Sequence, residues 1–407
     1  MFLWIDMSII KDDWSVKMGI TKNEKMKKKD ALKKKEAVYF DYSLLAVLIF
    51  LICFGLVMLY STSSYSALVK YGNSMHFFVR QLLFIIVGFI GMYIVMQIDY
   101  HFYIKWSKPI YFLSIFLMAL VQTPLGQEVN GAKRWIRLPF DQQLQPSEVA
   151  KIAVILFIPA LICSMGKEIK TLNGVIRVLL WGGFSAACVL FLTDNLSTAI
   201  IVMGITCIII FVVHPKTKPF VAIVVISLVL ILVAVVILNA TLTTSDSFRI
   251  RRILTWLRPE EYASGVGYQT LQGLYAIGSG GFFGKGLGNS AQKMVIPEVQ
   301  NDMILSVICE ELGVFGAIVV LVLFGMLLYR LLFIAQNAPD VYGSLIVTGI
   351  FSHIALQVIL NVSVVINLIP NTGITLPFIS YGGTAVLFLM AEMGIALGVS
   401  RKIKFRE

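Results

Sequence analysis

Charge is scarce in this chain. Of its 407 residues only 14% are charged, while 58% are hydrophobic; a soluble domain is about one quarter charged. A water-soluble core cannot absorb that much apolar sequence, so lipid must be the solvent for most of it. Cysteine is sparse too. Cys53, Cys163, Cys188, Cys207 and Cys309 all sit in apolar segments, and none forms a Cys-x-x-Cys pair, which argues against a disulfide framework or a cysteine zinc site. The four histidines are scattered, which speaks against a metal cluster. No cleavable signal peptide is expected, because the first long apolar run begins near Tyr42 behind a lysine-rich stretch.

What the chain does have is apolar runs of spanning length. Ten can be marked: Ser43–Tyr60, Gln81–Ile98, Pro109–Pro124, Ser147–Met165, Val178–Thr193, Ser197–Val213, Phe220–Thr241, Met303–Tyr329, Tyr342–Leu368 and Thr384–Val399. The stretch from Val341 to Ala391 carries no charge, yet Pro370, Pro377 and Gly382-Gly383 require it to be split. The expected fold is therefore an all-α polytopic membrane protein with about ten transmembrane helices. Eight lysines between Lys22 and Lys35, and Arg401, Lys402, Lys404 and Arg406 at the other end, place both termini on the cytoplasmic side. Residues 1–41 then form a basic cytoplasmic tail, 42–400 the membrane domain, and 401–407 a short cytoplasmic tail. The net charge of +11 reads as topology signal and contact with bilayer lipids rather than nucleic-acid binding.

Two outer segments break this charge rule. Gln122–Gln145 holds Lys133, Arg134 and Arg137 against Glu128 and Asp141. A large extracytoplasmic loop, about 242–302, holds Arg249, Arg251, Arg252, Arg258, Lys285 and Lys293. Basic residues outside do not help insertion, so either an anionic ligand or lipid phosphate accounts for them. Within the loop, Leu271, Leu274, Tyr275 and Ile277 suggest an amphipathic helix at the interface.

Four constellations carry chemistry. In Gln145-Pro-Ser-Glu-Val-Ala-Lys151, Pro146 suits a first helical turn, and Glu148 and Lys151 fall on one side. The glycine-rich stretch from Gly278 to Ser290 lacks the Gly-Lys-Ser/Thr ending of a phosphate loop and reads as a flexible surface turn. Gln292 to Asp302 leads into the eighth span, where Asp302 is either a helix cap or a partly desolvated base. Glu310 and Glu311 follow at a depth where acids pair with bases or line a cavity. Asn371 to Thr384 is a broken segment, tolerated only against protein or a wet cavity.

Together these segments resemble the SEDS family (shape, elongation, division and sporulation), which includes FtsW and RodA. The resemblance covers about residues 42–402 and rests on Asn130-Gly-Ala-Lys-Arg-Trp-Ile136, Gln145–Lys151, the glycine stretch with Gln292-Lys293, Pro297-Glu298, Asp302, Glu310-Glu-Leu-Gly313, and Pro370 to Thr384. Arg249–Arg252, Trp256, Pro259 and Gly267-Tyr-Gln269 look closer to FtsW. The resemblance implies a peptidoglycan glycosyltransferase that polymerises lipid II at the outer face of the bacterial cytoplasmic membrane, for division or cell shape, beside a class B penicillin-binding protein. It implies Asp302 as general base of a single inverting displacement. Substrate contacts are implied for Lys151, Glu148, Arg134, Arg249, Arg252, Gln269, Lys293, Glu298 and Ser380. Glu148 is also the candidate ligand for a divalent cation, Mg²⁺ or Mn²⁺. Two positions depart from the family pattern: Asn195 stands where an aspartate is usual, beside Asp194, and Gln143 where RodA relatives often carry arginine. The rival readings are a lipid II flippase and a non-catalytic scaffold of the division or elongation machinery.

Overall fold

The computed structural model describes residues 39–129, 132–138, 142–223, 225, 226, 229, 233, 248–262 and 267–404. Its helices are α1 (Tyr42–Tyr71), α2 (His76–Gln97), α3 (Phe102–Leu120), α4 (Pro146–Met165), α5 (Leu172–Thr193), α6 (Leu196–Val213), α7 (Phe248–Leu257), α8 (Tyr268–Gly280), α9 (Ile304–Asn337), α10 (Val341–Val365) and α11 (Ala385–Ser400). Seven helices among the described residues are long and apolar enough to cross a membrane, the segments beginning at Tyr42, His76, Pro146, Leu172, Leu196, Ile304 and Val341. α11 is a shorter apolar helix that carries one charged residue, Glu392, and α3 packs along α4. The expected span Phe220–Thr241 lies mostly outside the described residues, as does the N-terminal tail up to residue 38.

Most of α10 is buried whereas α2 turns most of its surface outward, so α10 forms the centre of the bundle. Large apolar side chains such as Phe50, Leu83, Phe116, Phe191 and Leu321 face outward. Water would not tolerate such a surface, and a hydrocarbon solvent does. The chain is a multi-pass membrane protein.

The structure lengthens one expected helix. α1 continues past Tyr60, the end of the expected run, to Tyr71 through a Ser/Thr cluster. Thr62 and Ser63 return their hydroxyls to the carbonyls of Met58 and Leu59, so the polar groups are satisfied within the helix. Asp41 caps α1 by accepting from the Leu44 N–H at 2.8 Å, and it pairs with Arg330 of α9 at 2.7 Å.

The loop before α4 adds an element that an all-α reading does not contain. β1 (Gly126–Val129), β2 (Ala132–Leu138) and β3 (Gln142–Leu144) make a small antiparallel sheet in the order β1-β2-β3, with Gly126 opposite Ile136 and Arg137 opposite Gln143. Arg134 is thereby carried on a strand.

The glycine-rich segment is no loose surface turn. α9 breaks at Gly313, whose φ of 71° is left-handed, and Gly284 lies against the break with φ 79°. A Cβ on Gly313 would come within 2.2 Å of the Phe282 carbonyl oxygen, so only glycine fits. The amides of Lys285 and Gly286 donate to the carbonyls of Glu310 and Glu311, each at 2.9 Å. Those two acids are fully buried but paired: Glu310 with Lys285 (2.7 Å) and the Ser290 hydroxyl, Glu311 with Lys293 (3.2 Å) and Ser61 (2.6 Å).

α8 also turns a different face inward from the one its leucines suggest. Thr270, Gly273, Ala276 and Gly280 are its buried face against α9, while Tyr275 is exposed. Small residues let the two backbones approach closely.

Candidate active site

The broken segment between α10 and α11 organises the site. Backbone without helical bonding survives at membrane depth only if other groups satisfy it, and polar side chains from the spans and from α7 do so. On α10, Asn361 donates to the Ile374 carbonyl at 2.7 Å, and Gln357 to the Thr375 carbonyl at 3.0 Å. Ser197 donates to the Thr372 carbonyl, Trp256 to Asn367 and Arg252 to Asn371. Ser380 accepts from the Leu376 amide at 2.8 Å, so its hydroxyl closes the segment's own turn.

Asp302 ends the outer loop immediately before α9. It does not cap that helix: Met303 occupies the cap position without a side-chain bond. Its carboxylate accepts from Gln269 of α8 at 3.1 Å, and its backbone carbonyl accepts from Asn361 at 2.9 Å. Gln269 in turn accepts from Asn371 at 3.1 Å. Burial pushes the Asp302 carboxyl up to about 6, against the lowering effects of its hydrogen bonds and of the Arg252 charge. A carboxylate tuned toward neutrality is a better base for a hydroxyl than an exposed one.

Arg252 lies beside it, and Arg134 lies beside Arg252. Burial lowers both guanidinium groups, and the positive charge of Arg252 lowers Arg134 further. Arg134 reaches from β2 to the Asp194 carbonyl at 3.0 Å, and its Nε is buried without a partner among the described residues. Two guanidinium groups close enough to repel form a ready site for a multiply charged anion. Asp194 ends α5 in a left-handed conformation, and Asn195 caps α6 by accepting from Thr198. An asparagine caps as well as an aspartate, so local structure survives this departure from the family pattern.

Lys151 and Glu148 lie on α4, 2% and 8% exposed, with their charges 2.9 Å apart. Lys151 also donates to Gln357 of α10 at 3.3 Å. Asp302 and Lys151 are thus both fastened to one face of α10, through Asn361 and Gln357.

Other sequence-derived candidates are engaged elsewhere. Lys293 is held by Glu311 and by the Gly288 carbonyl at 2.6 Å. Glu298, exposed with a left-handed φ of 49°, pairs with Lys70 at 2.6 Å. Gln143 hydrogen-bonds Gln127 across the small sheet. The side chain of Arg249 lies outside the described residues. Among the described residues no three His, Cys, Asp or Glu side chains gather as a cation site, and Glu148 is committed to Lys151. The donor set does not fit a cation held by protein alone.

Sequence reasoning missed His353, Gln357, Asn361, Asn371 and Glu392. The signal was present: His353, Gln357 and Asn361 recur every four residues in an otherwise apolar run, one polar stripe on one helix face.

Residues 42–404 match the profile of the FtsW/RodA/SpoVE family of cell cycle proteins. The chain belongs to this family. Among FtsW/RodA/SpoVE relatives, stage V sporulation protein E of Bacillus subtilis is 38% identical, covering 90% of this chain and 98% of that protein. A probable peptidoglycan glycosyltransferase FtsW of Trichlorobacter lovleyi is 36% identical over 90% of this chain and 94% of its own length. A solved structure described as a peptidoglycan synthase complex, coordinating polymerisation and crosslinking, matches with a TM-score of 0.73 at 26% identity, over 89% of this chain and 98% of the other. The rod shape determining protein RodA of Thermus thermophilus shares the fold, with a TM-score of 0.63.

Proposed function

We propose that the protein is a peptidoglycan glycosyltransferase that polymerises lipid II at the outer face of the bacterial cytoplasmic membrane. The observation that carries this reading is Asp302, a buried carboxylate pushed up to about 6 and set beside Arg252, in a family with relatives named for this chemistry.

The chemistry needs one base and one anion clamp. Joining an α-linked lipid diphosphate to a 4-hydroxyl in a β linkage inverts the anomeric carbon. A single displacement does this without the close carboxylate pair of a retaining glycosidase. Asp302 takes the hydroxyl proton as the new C–O bond forms. The bond to the diphosphate breaks, and Arg134, Arg252 and Lys151 stabilise the departing charge from fixed positions. Gln269 holds the carboxylate and Glu148 holds Lys151. A class B penicillin-binding protein is the partner this reading assigns, in line with the similarity to a synthase complex that also crosslinks. The test is lipid II polymerisation by the purified protein with such a partner, wild type against Asp302→Ala. The variant should make no glycan; equal yield from both would overturn the assigned base and favour a scaffold.

A further inference from the structure

Beneath the outer site, five polar side chains from three helices touch in series. Glu148 meets Lys151 at 2.9 Å, Lys151 meets Gln357 at 3.3 Å, and Gln357 meets His353 Nε2 at 2.9 Å. His353 Nδ1 meets the two carboxylate oxygens of Glu392 on α11 at 2.8 and 3.0 Å. His353 and Glu392 are each 1% exposed, in the middle of their helices. Ionisable groups at that depth are costly and usually serve a function, yet neither takes part in the displacement described above.

The hydrogen-bond directions in this series are forced. Gln357 donates its amide N–H to the Thr375 carbonyl at 3.0 Å, so its carbonyl oxygen must face Lys151 and His353. Reversing the amide would aim donors at donors on one side and oxygen at oxygen on the other. His353 Nε2, facing that oxygen, must carry hydrogen. Nδ1, facing a carboxylate, shares a proton with Glu392. Both ring nitrogens are therefore occupied, and turning the ring would set C–H groups against both acceptors. The pair fixes the ring, the ring fixes the Gln357 oxygen, and that oxygen with Glu148 occupies two of the three ammonium donors of Lys151. The third has no partner among the described residues and is left for a ligand. Apolar residues could fill the same volume without the desolvation cost of a buried pair, so packing alone does not call for His353 and Glu392.

We propose that His353 and Glu392 are positioning residues for Lys151, acting through Gln357 to aim the ammonium at an anionic, diphosphate-bearing ligand. The proposal rests on the glycosyltransferase reading and fails separately from it: absence of glycan from the wild type defeats that reading, whereas the outcomes below concern only the pair.

The experiment measures kcat and KM for lipid II with purified full-length protein and its partner. His353→Leu should raise KM about fivefold or more and also lower kcat, because Lys151 both holds the diphosphate and stabilises the charge that departs with it. Glu392→Gln should stay near wild type, because its amide can donate to Nδ1 while Nε2 keeps its hydrogen for Gln357. Adding His353→Leu to Gln357→Leu should raise KM no further, since His353 reaches Lys151 only through Gln357. If the single variant does not fold, His353→Leu with Glu392→Leu leaves no unpaired charge and carries the same expectation. A wild-type KM in either leucine variant would overturn the proposal. So would additive effects of His353→Leu and Gln357→Leu, or failure of the double leucine variant to fold, which would assign the pair to stability.

Discussion

The side-chain amide of Asn361 donates to two backbone carbonyls at once, that of Asp302 at 2.9 Å and that of Ile374 at 2.7 Å. One fully buried residue thus ties the candidate base to the broken segment that faces it. Asn361→Ala strands both carbonyls. The expected stability loss is about 1–3 kcal/mol, the usual cost of a buried polar group left unsatisfied, read as a lower melting temperature in detergent. Displacement of Asp302 should also slow polymerisation by roughly ten- to hundredfold, as small misplacements of reacting groups do. An unchanged rate would detach Asn361 from the site.

Asp302 itself should be a stability liability. Its carboxyl is raised to about 6 when folded and is near 3.9 in an unfolded chain. The folded state therefore binds more protons between those values, and stability falls as pH rises through that window. Above it, the ionised buried group costs about 1–3 kcal/mol, since each tenfold change in proton affinity between the two states is worth about 1.4 kcal/mol. Asp302→Asn should accordingly melt no lower than wild type at neutral pH, and higher if Gln269 reorients to bond the new amide, while making no glycan. A marked loss of stability with the amide would contradict the assigned burial.

Lys293 offers a test of what belongs to the clamp. Buried against Glu311, it should serve the fold rather than the substrate. Lys293→Met strands an acid and should cost about 3–5 kcal/mol. Combining it with Glu311→Gln, whose amide oxygen can still accept from Ser61, should restore much of the stability with a KM near wild type. A KM that stays raised in the stable double variant would return Lys293 to the diphosphate site.

Two glycines of α9 should behave oppositely. Gly313→Ala forces a left-handed φ on alanine and drives its Cβ to 2.2 Å from the Phe282 carbonyl. The strain alone is about 1–3 kcal/mol, and the clash adds to it, so the yield of folded protein should collapse. Gly325→Ala has open space around it and should be neutral or slightly stabilising. Equal melting temperatures for the two would remove the argument for the tight approach of the glycine segment.

Much of this was legible in the residues. Spanning runs follow from hydropathy, so most helices fell near their expected places. The cost of burying acids left Glu310 and Glu311 either to pair with bases or to line a cavity, and they pair. What escaped was set by tertiary contact. The length of α1 depended on hydroxyls folding back on their own helix, and the rigidity of the glycine segment depended on the break at Gly313. The separation of Lys293 and Arg252, two similar cations of one loop, depended on which acid each reached. The polar stripe of His353, Gln357 and Asn361 was visible as a spacing of four but acquires meaning only beside the carbonyls that Gln357 and Asn361 satisfy and the Glu392 that His353 meets.

The central claim is that Asp302, held at about 6 by burial against the charge of Arg252, removes the proton in glycan synthesis. The direct measurement is the pH dependence of kcat/KM for lipid II polymerisation, in wild type and in Arg252→Gln. The account predicts an acid limb with its midpoint near 6 in the wild type, moving upward when the positive charge is removed. A rate that stays flat down to about pH 4, the range of an ordinary carboxylate, or a midpoint indifferent to Arg252, would contradict it.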